Sequence, residues 1–557
     1  MSRRDAGASG RAVGRVAAGI VRATRARPVL PAVHAGPPAP PGAWLEEYDP
    51  GAWKQLRADW ESTALTDVDR ARLAHALALA DGSPDLAARL SGEIRARGEA
   101  AALHSSGLRD LPVPRRALHN LTEGQLRLGT VIADGRNHPP TATGDFGIDH
   151  DVLRTSMLVL GPPGAGKTQS FAVPIVEHLS LSALANKCSV VVIDPKGDDF
   201  DYPGWFDVTL DAENPSCGFS LFGGSADPDE AADRLASALL PPNTPDDASG
   251  TADAVRNAVY AALAPLHAGL GRWPTVPELV RALRADASAV EAITDSLRGH
   301  PEAERLVDLL AWRRAQAAAT RDPAAGALER LALLDRPALR RLFDHPSRSF
   351  AMREINTPVR VRVVLPESRY PEVARVLARL VVAQFVQVAS ATDTNRGIFK
   401  ALVVDEAGRF VDEHVARGVQ RLRSANAGLV LLAQSLAEFP PAVANTIFGA
   451  AGCRAVVGGL HPVDAEVFST AWGEQIRYET TVSYSETTSR GADAHGPATG
   501  TTTGRAMSVR RVDAARWSVS DLASDLAPGR AVVSLTRSDG RRVGPVHVDL
   551  RGSPWAI

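Results

Sequence analysis

The sequence predicts an α/β protein: a mostly parallel sheet covered by helices, with an inserted all-helical domain and a small N-terminal helical region. Three observations carry this prediction. Short uninterrupted apolar runs at Met157–Leu160, Val190–Ile193, Ala401–Val404 and Leu429–Ala433 read as strands buried on both faces, because a strand with one wet face alternates instead. Segments of helical spacing, such as Phe171–Leu184 and Pro371–Ala389, lie between several of them and supply the crossovers that parallel strands need. Residues 228–345 are rich in Ala, Leu and Arg at helical spacing, with no convincing strand.

Taken in order, residues 1–43 form a basic, Pro-rich leader with seven arginines and one acid, Asp5, before residue 28. It reads as disordered, or as an Ala/Arg helix over Ala8–Arg27 that touches anionic lipid or DNA. Residues 44–104 read as helices, including Ala52–Trp60 and Asp67–Ala80, the latter opened by the cap Thr66. The stretch 105–150 is a connecting region dense in turn residues. The α/β domain begins with 151–227. The insertion 228–345 follows, its best helices being Thr251–Leu266, Pro277–Leu283, Ala289–Leu297 and Pro301–Ala319. Pro277 is tolerable there only in the first helical turn. The domain resumes over 346–479 with strands at Val359–Leu365 and Ala455–Gly458 among others. Residues 480–510 are dense in Ser, Thr and Gly and read as an exposed loop or disordered segment. Residues 511–557 close the core with strands at Ala531–Leu535 and Val546–Leu550, turning at Asp539-Gly540.

The 557 residues suffice for two to four domains. With 62 basic and 64 acidic residues the net charge is -2, so total charge neither favours nor excludes nucleic acid; only a local patch could decide. The basic residues are almost all arginine. Lysine occurs only at Lys54, Lys167, Lys187, Lys196 and Lys400, which makes each lysine the more informative. Cys188, Cys217 and Cys453 form no CxxC pair, which argues against a zinc site or disulfide framework and fits a reducing cytoplasm. No stretch approaches 18 uninterrupted apolar residues, so no transmembrane helix is expected.

The decisive motif is Gly161, Pro162, Pro163, Gly164, Ala165, Gly166, Lys167, Thr168, followed by Gln169. It matches GxxxxGK[ST] between a strand and a helix, the context a phosphate-cradling loop requires. Its glycines let the backbone wrap phosphate, and the helix N-terminus attracts the negative charge. Lys167 can reach the β- and γ-phosphates, and Thr168 can hold Mg²⁺. Asp405 ends a buried strand and suits the same metal; Glu406 beside it can polarise an attacking water as general base. Gln434 ends the next strand, as a γ-phosphate sensor or as a surface amide. Arg421 and Arg423 lie on a helix between them and read either as an arginine finger for a neighbouring subunit or as a solvated face. The turn Asp194-Pro195-Lys196-Gly197 falls on the same ligand-binding edge.

The order of these motifs resembles the TraG/VirD4-like type IV coupling proteins, a branch of RecA-like P-loop motors related to FtsK and HerA. Gly161–Thr168, Asp194–Gly197, Asp405-Glu406-Ala407 and Ala433-Gln434-Ser435 carry the match, supported by Leu365-Pro366-Glu367 and by Asp525–Arg530. The resemblance covers about 155–230 and 346–550. It implies ATP and Mg²⁺ as cofactors, with Lys167, Asp405, Glu406 and Gln434 catalytic. It implies ATP-driven movement of DNA, single- or double-stranded, towards a secretion channel during conjugation. It further implies a homo-oligomer, commonly a hexameric ring, with relaxase, adaptor and channel proteins as partners. The helical insertion corresponds by position to the family's cargo-recognising domain. Many members begin with two membrane helices, which this sequence lacks. The expectation is therefore a cytoplasmic protein that reaches the inner face of the membrane through its leader or a partner. Two other readings stand beside this one: a motor for protein cargo, and a nucleotide-controlled scaffold with negligible hydrolysis.

Overall fold

The computed structural model describes residues 40–62, 64–140, 142–240, 249–345, 348–493 and 496–551. Its centre is a twelve-stranded sheet. From one edge, Val208–Asp211, Arg360–Val364, Cys188–Asp194, Phe399–Val404, Ala427–Ala433, Met157–Leu160 and Cys453–Val457 run parallel to one another. Arg530–Thr536, Arg542–Asp549, Gln125–Val131 and Leu118–Asn120 continue the sheet antiparallel. Gly144–Asp149 pairs beside Gln125–Val131.

Every residue of Met157–Leu160, Cys188–Asp194, Phe399–Val404 and Ala427–Ala433 is buried. Their continuous apolar runs follow from having a core on each face. Alternate side chains serve the two cores, since successive Cβ atoms point to opposite faces: Leu158, Val191 and Leu402 enter one, Val159, Val192 and Val403 the other. The helix Val173–Leu184 is buried along its whole length, which accounts for its lack of a polar face. Its one carboxylate, Glu177, accepts from the backbone N–H groups of Arg116 and Ala117 and meets His119 Nε2 at 2.8 Å.

The insertion folds as helices from Pro228–Leu239 to Pro337–Phe343, and Pro277 sits in the first turn of Val276–Arg284. It packs onto the long helix Pro371–Ser390. That helix is long and apolar enough to cross a membrane, but it is a core element, 83% of its most apolar window being buried. Its Arg379 donates to Asp412 Oδ2 at 2.6 Å inside the domain. In the N-terminal region, Thr66 caps Asp67–Ala80 reciprocally with Asp69, satisfying donors that the first helical turn leaves open.

Two expectations are corrected. The stretch 105–150 does more than connect, because three of its segments are strands of the main sheet. Gln125–Val131 alternates in burial rather than running apolar, so continuity could not reveal it. Residues 480–493 and 496–510 form no loop: Glu474–Asp493 and Gly496–Ala515 pair antiparallel along their full length. Over 474–490 and 501–515 both faces of this arm are largely exposed, so no core imposes an apolar pattern there. Its Thr, Val and Tyr content still suits an extended backbone. The leader over 1–39 lies outside the described residues.

Candidate nucleotide site

Three neighbouring strands deliver the motifs. Met157–Leu160 runs into the Gly161–Thr168 loop, Ala427–Ala433 beside it ends at Gln434, and Phe399–Val404 beyond that ends at Asp405 and Glu406. Because all three are parallel, their carboxyl ends share one edge, where open α/β sheets bind ligands. A cavity of about 310 Å³ lies there, lined among others by Lys167, Thr168, Gln169, Asp405, Glu406 and Gln434. Pro163, Gly164 and Gly166 also line it, whereas Gly161, Pro162 and Ala165 shape the loop behind.

The glycines are required by geometry. Gly164 and Gly166 have φ of +74° and +85°, where a side chain is strained. A Cβ on Gly161 would lie 2.1 Å from Val457 Cγ2. Lys167 Nζ donates to the carbonyls of Gly161 at 2.6 Å and Pro162 at 3.0 Å. Burial lowers its pKa, against the pull of Asp405, Glu406 and Glu438. Thr168 Oγ1 donates to Asp405 Oδ2 at 3.1 Å, so a hydroxyl and a carboxylate converge as Mg²⁺ ligands would have to. Burial raises the Asp405 pKa, opposed by the Glu406 N–H and Lys196. A cation at this point would relieve that cost.

Glu406 holds a left-handed backbone at φ +53°, uncommon for a residue with a Cβ and a local strain that surrounding structure must sustain. Its carboxylate lies 3.4 Å from Arg409 and 3.8 Å from Lys196. Lys196 is a further lining residue, supplied by the Asp194–Gly197 turn. Burial opposes its charge, but Asp199, Asp405 and Glu406 raise its pKa. The turn is locked from below: Asp194, fully buried, accepts from Gly197 N at 2.9 Å and from Arg362 Nη2 at 3.0 Å.

Asp199 also lines the cavity, and Glu438 reaches back to accept from the Gln434 N–H at 3.3 Å. Sequence reasoning missed both, since neither belongs to a recognisable spacing. Arg423 is not brought to this cavity. It follows the helix Glu413–Leu422 at the opposite edge of the sheet and donates to the Ser538 carbonyl. Arg421 is exposed and lines neither this cavity nor the cleft containing Arg423.

No protein-family profile matches the chain, and no curated protein matches it. Among solved structures, the plasmid coupling protein TrwB in complex with the non-hydrolysable ATP analogue ADPNP aligns with a TM-score of 0.50. The identity is 17%, over 79% of this chain and 95% of TrwB. The chain has the fold of the TraG/VirD4-like coupling proteins. TrwB with ADP and Mg²⁺ aligns at a TM-score of 0.48 and 16% identity, covering 80% of this chain and 96% of that one. VirB4 of Thermoanaerobacter pseudethanolicus aligns at 0.40 and 15%, covering 77% and 98%. The coupling-protein fold agrees with the RecA-like α/β core expected from the motif order.

Proposed function

We propose that this protein is a Mg²⁺-dependent ATPase that moves DNA, acting as the coupling protein of a conjugative or type IV secretion system. The observation that carries the reading is the convergence of Lys167, Thr168, Asp405, Glu406 and Gln434 on one cavity from three adjacent strand ends. In this reading Lys167 leaves its two loop carbonyls for the β- and γ-phosphates, an exchange of neutral acceptors for anionic ones. Thr168 and Asp405 would hold the metal, which would neutralise charge on the phosphates. Glu406, restrained between Arg409 and Lys196, takes the proton of the attacking water. The Gln434 amide orients that water or the γ-phosphate. Arg423 is remote from the chain's own cavity, so its part as a finger requires a second copy, as in a homo-oligomeric hexameric ring of identical subunits. DNA, relaxase, adaptor and channel proteins are the partners this reading requires, at the inner face of the cell membrane.

The test is the ATPase rate of the purified chain with and without single- and double-stranded DNA, beside Lys167→Ala. Stimulation by DNA that vanishes in the variant is expected. Robust hydrolysis indifferent to both DNAs would instead indicate protein cargo, and absence of hydrolysis under all conditions would indicate a scaffold.

A further inference from the structure

The helix Asp67–Ala80 of the N-terminal region faces the main domain across a cavity of about 540 Å³. The helix supplies Arg72, His75 and Leu79, and His104 comes from the loop that ends the helical region. Pro358 and Ile398 lie on the turns that lead into Arg360–Val364 and Phe399–Val404. None of these residues lines the nucleotide cavity. The walls are mostly apolar, and Leu79 is half exposed at the rim. Among the described residues no carboxylate lines the cavity.

Three buried polar atoms of its lining residues are open. Arg72 Nη2, His75 Nε2 and His104 Nε2 have no hydrogen-bond partner among the described residues. Arg72 and His104 are each 2% exposed. The Arg72 guanidinium is anchored by Nε, which donates to the Leu184 carbonyl at 2.8 Å. Its Nη2 comes only within 3.4 Å of Asp69. That carboxylate already accepts from Arg109 Nη2 at 2.6 Å and from Thr66 N at 3.0 Å, so it answers the Arg72 charge only in part. His104 Nδ1 accepts from Ser106 N at 3.1 Å, which leaves the proton of the neutral ring on Nε2. Burial lowers the His104 pKa and keeps that ring neutral. The Pro358 carbonyl lies nearby without completing a hydrogen bond to it.

A buried donor without an acceptor forgoes the hydrogen bond it would make in water, and a bound acceptor restores it. Here the open groups include a guanidinium and an imidazole N–H, with no acid beside them in the lining. The missing group is therefore an acceptor, and a negative charge suits it best. The rest of the cavity offers only apolar contact, and its volume lies in the range of small-molecule sites.

We propose that this cavity binds a small apolar carboxylate, its oxygens taking the open donors of Arg72 and His104 and its tail lying against Leu79, Pro358 and Ile398. The site is independent of the nucleotide chemistry and gives the N-terminal helical region a ligand-binding part.

The experiment titrates the full chain with octanoate, and separately with octanol as the uncharged counterpart, by isothermal calorimetry. Octanoate should saturate one site, and octanol should bind about tenfold or more weakly, since it lacks the charge-assisted hydrogen bonds. Arg72→Met should weaken octanoate by about the same factor while leaving octanol within about twofold. Because Arg72 is buried, a second variant is placed at the rim. Leu79→Asp should weaken both probes without lowering the melting temperature, as Leu79 is half exposed. Octanol binding as tightly as octanoate would show a plain apolar groove. That result, the absence of a saturable site, or octanoate affinity unchanged in both variants would overturn the proposal.

Discussion

Replacing Arg362 with methionine tests how the nucleotide edge is held in shape. Arg362 is 6% exposed and its partner Asp194 is fully buried, with Nη2 and Oδ2 3.0 Å apart. Removing one side of a buried pair strands the other charge, at a cost of about 3–5 kcal/mol. Asp194 would keep only the N–H groups of Gly197 and Phe200, at 2.9 and 3.4 Å. Burial already raises its pKa even with Arg362 present, and the variant should raise it further. A carboxyl whose pKa is higher folded than unfolded binds protons more readily in the native state, so its penalty shrinks as pH falls through the folded value. Urea unfolding of Arg362→Met at pH 7.5 should therefore show the full loss, and at pH 5 a smaller one. The double variant Arg362→Met, Asp194→Asn should recover most of it, because neither charge remains. A loss below about 1 kcal/mol, the size of an exposed ion pair, would refute the reasoning.

Glu406→Gln should still bind ATP within a few-fold while kcat falls by about 10²–10⁴, the usual worth of a general base; unimpaired turnover would remove Glu406 from that role. Acid should destabilise the fold. Burial pulls His75 down to about 4 and His150 to about 3, and holds His178 well below its ordinary value. The unfolded chain takes protons near 6.5 that the folded chain refuses, so stability is full above that pH and is lost below it. The loss should approach about 2 kcal/mol for each histidine at pH 5, read as a falling melting temperature that a pH-independent melt would contradict. Replacing 478–511 with a short turn should leave the melting temperature unchanged, because the arm's strands pair only with each other; a steep fall would show that the arm packs on the core.

The buried centre of the fold was legible because its environment is uniform. Strands with a core on each face must be apolar throughout, as Val190–Ile193 and Leu429–Ala433 are, and such runs stand out. The strands of 105–150 lie where burial alternates, and the 474–515 arm has no core at all, so neither leaves that trace. The site followed the same division. Lys167, Thr168, Asp405, Glu406 and Gln434 sit at strand ends, and their spacing along the chain reports a shared edge. Lys196 was visible only as part of a turn. Asp199 reaches the cavity and Glu438 the Gln434 N–H through loop geometry, and Arg362 acts from beneath, across a strand pairing with Cys188–Asp194 that no local pattern encodes.

The central claim is that hydrolysis at this cavity drives movement along DNA. Its most direct test is ATP-dependent displacement of streptavidin from the ends of biotinylated single- and double-stranded oligonucleotides. The account predicts displacement by the native chain on one of the two DNAs and none by Glu406→Gln, which still binds ATP. Sustained ATP hydrolysis without displacement on either DNA would contradict it.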